Sequence, residues 1–476
     1  MKRTINIFCT LLVAASAMLF AVGCGDSGRQ NILKVYNWGD YIDEDLIVEF
    51  EEWYKEQTGE DVMVIYQTFD INEVMLAKIE NGGADFDVVC PSEYIIERML
   101  DKELLLPIMD EEFIAEIEAK GINYFHCVSP YISEQFSLME SPEGINPLDY
   151  AVGYMWGTTG ILYNKEYVTH EEASSWALMF DERLRDKILV KDAFRDVYSP
   201  ILIYAKTLEA RERGELGADE TLPLEVVRQL MYDDSDESIA LVEGYLKRMK
   251  ELVAGWEADF GKEMMTQEKA WINLMWSGDA VWAIEEASYV DVELGYAVPK
   301  EGSVVWFDGW VIPKYAKNIR AARYFIDYMC APENAIRNMD ATGYVSAVAT
   351  EEVLDAMRDD ELETVCDLSY FFIDEYGVAV EGADSVHIDD VLYPDRSVIE
   401  HCGVMHDSGE RTDKMLEMWS RVKGDNLSTG MLIGIILFFS VLLVLGVARK
   451  INNYRKRQKH LKRRRHHTSS EKKTTK

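Results

Sequence analysis

The sequence predicts an α/β fold arranged as two lobes, and three observations carry that expectation. Strand and helix signals alternate as β-α-β-α-β-α from Ile32 to about Leu100, the pattern of a parallel sheet with helices on its faces. A second run of strand and helix signals begins near Tyr150. The chain has 476 residues, enough for two or three domains with large cores.

The ends of the chain are set apart from this body. Residues 1–23 have the form of a signal peptide, with Lys2 and Arg3 ahead of an apolar run over 7–22. The run ends Ala21-Val22-Gly23-Cys24 and a polar stretch follows. This resembles a bacterial lipoprotein cleavage site, which implies that Cys24 carries the lipid and that 24–31 is a short tether. The site departs from the usual pattern at Ala21, where leucine is common. Residues 430–448 are apolar apart from Ser440 and glycines, over about the 20 residues that span a bilayer. A transmembrane helix is expected there. The tail 449–476 holds thirteen lysines and arginines against one glutamate. Such a tail stays on the cytoplasmic side and attracts anionic lipid, which leaves the body on the extracytoplasmic side of the membrane.

Within the body, 32–36 is strand-like. Residues 43–59 are helical: Leu46, Ile47, Phe50, Trp53 and Tyr54 share a face, Asp43 caps the start and Gly59 stops the helix. A strand follows over 62–66, then a helix over 72–81 that stops at Gly82. Residues 86–90 form a third strand, and Pro91-Ser92-Glu93-Tyr94 leads into a helix to about Leu100. Ligands of parallel sheets bind outside the carboxyl ends of the strands. Trp38, Asp40 and Tyr41 follow the first strand and Ser92 and Tyr94 the third, so all five are expected at one crevice. Aromatics beside a carboxylate suit a small organic cation, although these residues taken alone would serve equally as a core cap.

In the second run, 158–164 and 187–191 are strand-like, and Asp192 through Asp196 open a helix to about Leu208. Asp196 is open to two readings there, a ligand carboxylate or a helix cap. Helical patterns cover 224–232, 238–256 and 268–276, the last ending at Ser277-Gly278-Asp279. Strands are expected over 292–298 and 304–313, the second carrying Trp306-Phe307-Asp308. An unpaired acid between aromatics in a strand is costly, which marks Asp308 as functional. Helices over 318–330 and 332–339, a turn at 342–344 and a helix over 412–422 complete the body, with no internal repeat.

Seven motifs then occur in a telling order: Tyr36-Asn-Trp38-Gly-Asp-Tyr41, Asp87-Val-Val-Cys-Pro-Ser92-Glu-Tyr94, Trp156-Gly-Thr-Thr-Gly, Met275-Trp276-Ser-Gly, Trp306-Phe-Asp308, Thr342-Gly-Tyr344 and Leu392-Tyr-Pro-Asp395. Over about residues 31–424 the chain resembles the bacterial polyamine-binding proteins, the spermidine/putrescine receptors of ABC importers. The resemblance implies a two-lobed periplasmic-binding-protein-like fold of type II with the ligand cleft between the lobes. Lobe 1 would comprise 32–150 with 308–345 returning to it, and lobe 2 would comprise 151–307 with 346–424 returning. It implies a substrate site of Trp38, Asp40, Tyr41, Ser92, Tyr94, Asp196, Trp276, Trp306, Asp308 and Tyr344. In that site Asp308 and Asp196 hold ammonium groups and the tryptophans line the polymethylene chain. The implied partners are a polyamine and ABC permease subunits, with the membrane reached through the lipid and the terminal helix. A monomer is expected, with no cofactor, no metal and no catalysis. The sequence departs from the family at Ala193, where members often carry a carboxylate three residues before the one matched by Asp196, and at Met405, where some use glutamine. Fewer amine acceptors tilt the expectation toward putrescine over spermidine, with both kept open.

Other classes fit less well. The formal net charge of −36 is concentrated in the body and argues against binding a nucleic-acid backbone. Beyond Cys9 and Cys24, five cysteines are scattered at 90, 127, 330, 366 and 402 with no C-x-x-C, so neither a disulfide framework nor a metal site is indicated. The body has no Gly-x-Ser-x-Gly, His-Glu-x-x-His or P-loop motif. It also lacks the adjacent tyrosine pair of many ferric-ion receptors. A receptor for another small solute on the same fold, and a polyamine-sensing membrane adaptor, remain as alternatives.

Overall fold

The structure, a computed structural model, describes residues 29–424 apart from residues 83, 259 and 375. The expected signal peptide, Cys24, the 430–448 span and the basic tail lie outside the described residues. Among the described residues no helix is long and apolar enough to cross a membrane. The chain divides into two units between Leu416 and Glu417. The first holds everything discussed below. Of the second, the described residues are the closing turns of the helix Thr412–Gly424.

The first lobe opens with β1 (Ile32–Trp38), α1 (Glu44–Thr58), β2 (Met63–Phe69), α2 (Asn72–Glu80), β3 (Val88–Val89) and α3 (Glu93–Asp101). Local chemistry sets these boundaries. Asp43 caps α1 by accepting the Asp45 N–H, Gly59 stops it at φ +75°, and Leu46, Phe50 and Tyr54 bury its apolar stripe. β1 lies between β2 and β3, parallel to both, with Val35 opposite Tyr66 and Val88. The carboxyl ends of β1 and β3 therefore point the same way.

Two long strands join the lobes. β4 (Ala151–Asn164) is buried along its whole length. The second lobe continues with β5 (Ile188–Lys191), α4 (Phe194–Glu212), β6 (Val253–Glu257), β7 (Ile272–Trp276), α5 (Ser277–Ser288) and β8 (Leu294–Ala297). The chain then returns along β9 (Ser303–Pro313). β9 runs antiparallel to β4 from Val305 opposite Thr158 to Val311 opposite Ala151, and Val311 also pairs with Val89 of β3. Further along, β4 pairs with β7 and β8, and β7 is followed by β5 and β6 in parallel. β4 and β9 thus belong to the sheets of both lobes, and the lobes meet inside these strands rather than at their ends. The register of β9 on β4 shifts between Asp308 and Gly309, a bulge at the crossover that re-aims the side chain beside it.

Two local expectations are corrected. The helix expected over 238–256 ends at Lys250, and Val253–Glu257 becomes a strand against β5. The helix expected over 268–276 is instead strand β7, and Ser277-Gly278-Asp279 begin a helix rather than end one. Short apolar runs do not distinguish a strand from a buried helix by periodicity. Here pairing with β4 and β5 on both sides decides in favour of the strand.

Candidate ligand-binding cleft

The cleft is built from strand ends and the first turns of helices. Trp38 closes β1. Its ring lies 4.5 Å from Phe69 and meets Trp276, at the end of β7, edge-on at 6.4 Å. One indole from each lobe thus faces the other. After Trp38 the chain turns through Asp40 at φ +50°, a left-handed conformation that aspartate tolerates. The turn delivers Tyr41 to the interior. The Tyr41 hydroxyl donates to Asp308 Oδ2 at 2.8 Å, and its ring packs edge-on against Tyr344 at 4.7 Å. Ser92, at the start of α3, donates to the other oxygen, Asp308 Oδ1, at 2.7 Å.

Asn72 organises the first-lobe side of this network. Its amide donates to Ser92 Oγ at 3.0 Å and to Tyr94 Oη at 3.1 Å, and Tyr94 in turn donates to Glu73 Oε1 at 3.2 Å. Trp306 lies 5.8 Å from the Tyr344 ring. On the second-lobe side, Asp196 occupies the first turn of α4 and accepts the Trp276 indole N–H at 2.9 Å. The N-cap of α4 is Ala193, so Asp196 is not the cap. Its carboxylate is free to face the cleft from a helix N-terminus that favours negative charge.

Burial raises both cleft acids. Asp308 is pushed up to about 7 by loss of water, against the lowering effect of the Ser92 and Tyr41 hydroxyls. Asp196 is pushed up to about 6 by the same cause, opposed by the Trp276 N–H and by Lys191. Among the described residues neither has an ion-pair partner, and each has only neutral donors on its oxygens. An uncompensated buried acid of this kind is neutralised by a proton or by an incoming cation. Burial also pushes Glu93 well up. Its Oε2 accepts the Phe307 N–H at 3.0 Å, a structural tie between α3 and β9.

Asp279 behaves differently. It sits in the first turn of α5 and accepts the Tyr344 hydroxyl at 2.9 Å and the Lys191 ammonium at 2.6 Å. Lys262 lies 3.4 Å away. Burial works to raise Asp279, but Lys191 and Lys262 outweigh it and hold the carboxyl below the usual range. A cavity of about 560 Å³ opens here between the lobes, lined by Gly39, Tyr41, Thr68, Lys262, Asp279 and Tyr344 among others. A larger open groove of about 750 Å³ runs along α2 past Lys34, Lys78 and Asp85. It is walled by the first lobe alone, Glu73 included, whereas Asp308, Asp196, Trp38, Trp276 and Trp306 are packed behind the surfaces that line the groove and the cavity.

A sequence profile described as "Bacterial extracellular solute-binding protein" matches residues 46–363. The chain belongs to this family. Its relatives include the spermidine/putrescine-binding periplasmic protein of Escherichia coli K12, 27% identical over 335 residues, covering 70% of this chain and 82% of the relative. The putrescine-binding periplasmic protein PotF of the same organism is 26% identical over 348 residues, covering 71% and 83%. The solved spermidine/putrescine ABC transporter substrate-binding protein PotD of Streptococcus pneumoniae is 27% identical. Their superposition has a TM-score of 0.57 and covers 83% of this chain and 98% of that one.

In this solute-binding protein nine of the ten residues expected at the site converge. Trp38, Trp276 and Asp196 form one linked set, and Tyr41, Ser92, Tyr94, Trp306, Asp308 and Tyr344 form another, joined through Asn72. Lys191 and Asp279 bridge the two between Trp276 and Tyr344. Asp40 is in neither set: its side chain is exposed, on the lining of the cavity. Sequence reasoning missed Asn72, Glu73, Lys191 and Asp279. Asp279 stands three residues after Trp276, and Lys191 is the one charged residue of a four-residue buried strand. Both carried a signal, but their pairing spans 88 residues.

Proposed function

We propose that this solute-binding protein is an extracytoplasmic receptor that captures polyamines, putrescine or spermidine, and delivers them to an ABC importer. The observation that carries the reading is the pair of buried acids Asp308 and Asp196. They come from different elements, are raised by desolvation, have no ion-pair partner among the described residues, and stand among indole and phenol rings. An alkyl diammonium supplies what the pair lacks. One ammonium replaces the proton on Asp308, already held by Tyr41 and Ser92, and the other meets Asp196 beside Trp276. The methylene chain lies against Trp38, Trp306 and Tyr344, with Tyr94 on the first-lobe wall. Cation–π contacts contribute on the order of 1–2 kcal/mol each when desolvated. Charge-assisted hydrogen bonds add about 1.5–3 kcal/mol each. Closure of the lobes about β4 and β9 would trap the ligand. Relatives that bind spermidine and putrescine point to the same ligand class.

Anchorage is part of the same reading: lipid on Cys24, a span over 430–448 and a cytoplasmic tail, which together hold a monomeric receptor beside its permease and raise its effective concentration there. Titration calorimetry of the purified full-length chain with putrescine, spermidine and a neutral four-carbon diol tests the ligand class. Both amines, or one of them, should bind and the diol should not. A diol that binds as well as the amines would overturn the reading.

A further inference from the structure

The geometry points to Lys191 as a specificity-determining residue, a built-in ammonium that occupies the third acid of the cleft and so restricts the receptor to ligands with two charges. This rests on the proposed polyamine reading. Three acids stand around Trp276 and Tyr344, and they differ in how they are satisfied. Among the described residues Asp308 and Asp196 have neutral donors only. Asp279 has the Lys191 Nζ at 2.6 Å.

Lys191 does for Asp279 what a ligand nitrogen would do. Its side chain is about 1% exposed. Its ammonium lies 4.3 Å from the centre of the Trp276 ring and 3.7 Å from Glu257. A carboxylate on one side and an indole face on the other is the environment a polyamine nitrogen seeks. Burial works to lower the Lys191 ammonium, but Asp279 and Glu257 more than offset it and hold it charged. The Tyr344 hydroxyl and Lys262 complete the shell of Asp279.

Two consequences follow for the ligand. A diammonium is matched by Asp308 and Asp196. A triammonium of the same width finds its third acceptor already occupied, and a like charge fixed against the indole. Like charge held in a desolvated site discriminates more strongly than a missing contact does. The lysine thus sets the number of charges admitted, while the two open acids set the capture itself.

The test compares putrescine with spermidine on the purified full-length chain, wild type and Lys191→Met, by titration calorimetry. Wild type should prefer putrescine by about tenfold or more, and Lys191→Met should narrow that preference by about fivefold or more. Lys191→Gln, which keeps a hydrogen bond to Asp279 without the charge, reads the same ratio where the methionine variant folds poorly. A wild type that binds spermidine as tightly as putrescine would overturn the inference and leave the polyamine reading standing. So would a ratio that does not move in the variants. Failure of both amines to bind wild type would remove the polyamine reading itself.

Discussion

Replacing Asp308 with asparagine should make the ligand-free protein more stable and the receptor worse. In the ligand-free cleft Asp308 is buried with only Ser92 and Tyr41 on its oxygens, and its carboxyl is pushed up to about 7. An acid whose folded-state pKa lies above its unfolded value binds its proton more tightly when folded. Its contribution to stability is therefore full at low pH and is lost as pH rises from the unfolded value near 4 through the folded one near 7. At neutral pH that penalty is roughly 2–4 kcal/mol. Asp308→Asn removes the ionisation while keeping the shape, so the melting temperature of the ligand-free variant at pH 7.5 should rise. The gain should vanish near pH 4. Binding should move the other way, because the variant gives up a charge-assisted contact to an ammonium, about 2–3 kcal/mol, or roughly 30- to 150-fold in affinity. Thermal melts across pH and titration with putrescine read the two effects on one sample. A variant that melts no higher than wild type at pH 7.5 would refute the account of Asp308 as an uncompensated acid. One that binds putrescine unchanged would refute its place in the site.

Two further outcomes follow from the same geometry. Because protons compete with the amine for Asp308 and Asp196, raised to about 7 and about 6, affinity should be high above pH 7.5 and fall by about a thousandfold by pH 5. Calorimetry in buffers of different ionisation heats should show proton release near pH 7, and a flat profile would contradict the raised acids. Gly278→Ala should weaken binding and lower the melting point by about 1–3 kcal/mol of stability. The added Cβ would stand 2.2 Å from the Tyr344 ring, so an unperturbed Tyr344 in a structure of the variant would be the contrary result.

Much of the first lobe was legible because each of its signals is local. Asp43 and Gly59 bracket α1, and the strand-end rule brings Trp38 and Ser92 to one crevice without any knowledge of contacts. Asp308 was legible for a different reason, since an acid inside a buried strand needs a cause. What escaped depends on distant partners. β7 resembles a helix until β4 and β5 flank it. The aromatics flanking Asp40 marked it out, and the left-handed turn that carries Tyr41 inward leaves Asp40 exposed on the lining of the cavity, apart from the buried network. Lys191 and Asp279 each carry a weak local signal, a lone charge in a buried strand and an acid just past Trp276, but nothing along the chain pairs them. Only their meeting under Trp276 makes one an acceptor and the other its occupant.

The register shift at Asp308 has a mechanical meaning. β9 is threaded through both sheets, and the extra residue at the shift, Tyr154 of β4, falls beside Asp308, which carries first-lobe hydroxyls on both oxygens and is proposed to receive the ligand's charge. A receptor could sense its cargo on one wall and relay that to a distant pivot. In the proposed function the group that meets the ligand sits on the strand about which the lobes would close, so occupancy and bending would act on a single stretch of backbone. Such a device needs no transmission path between pocket and hinge.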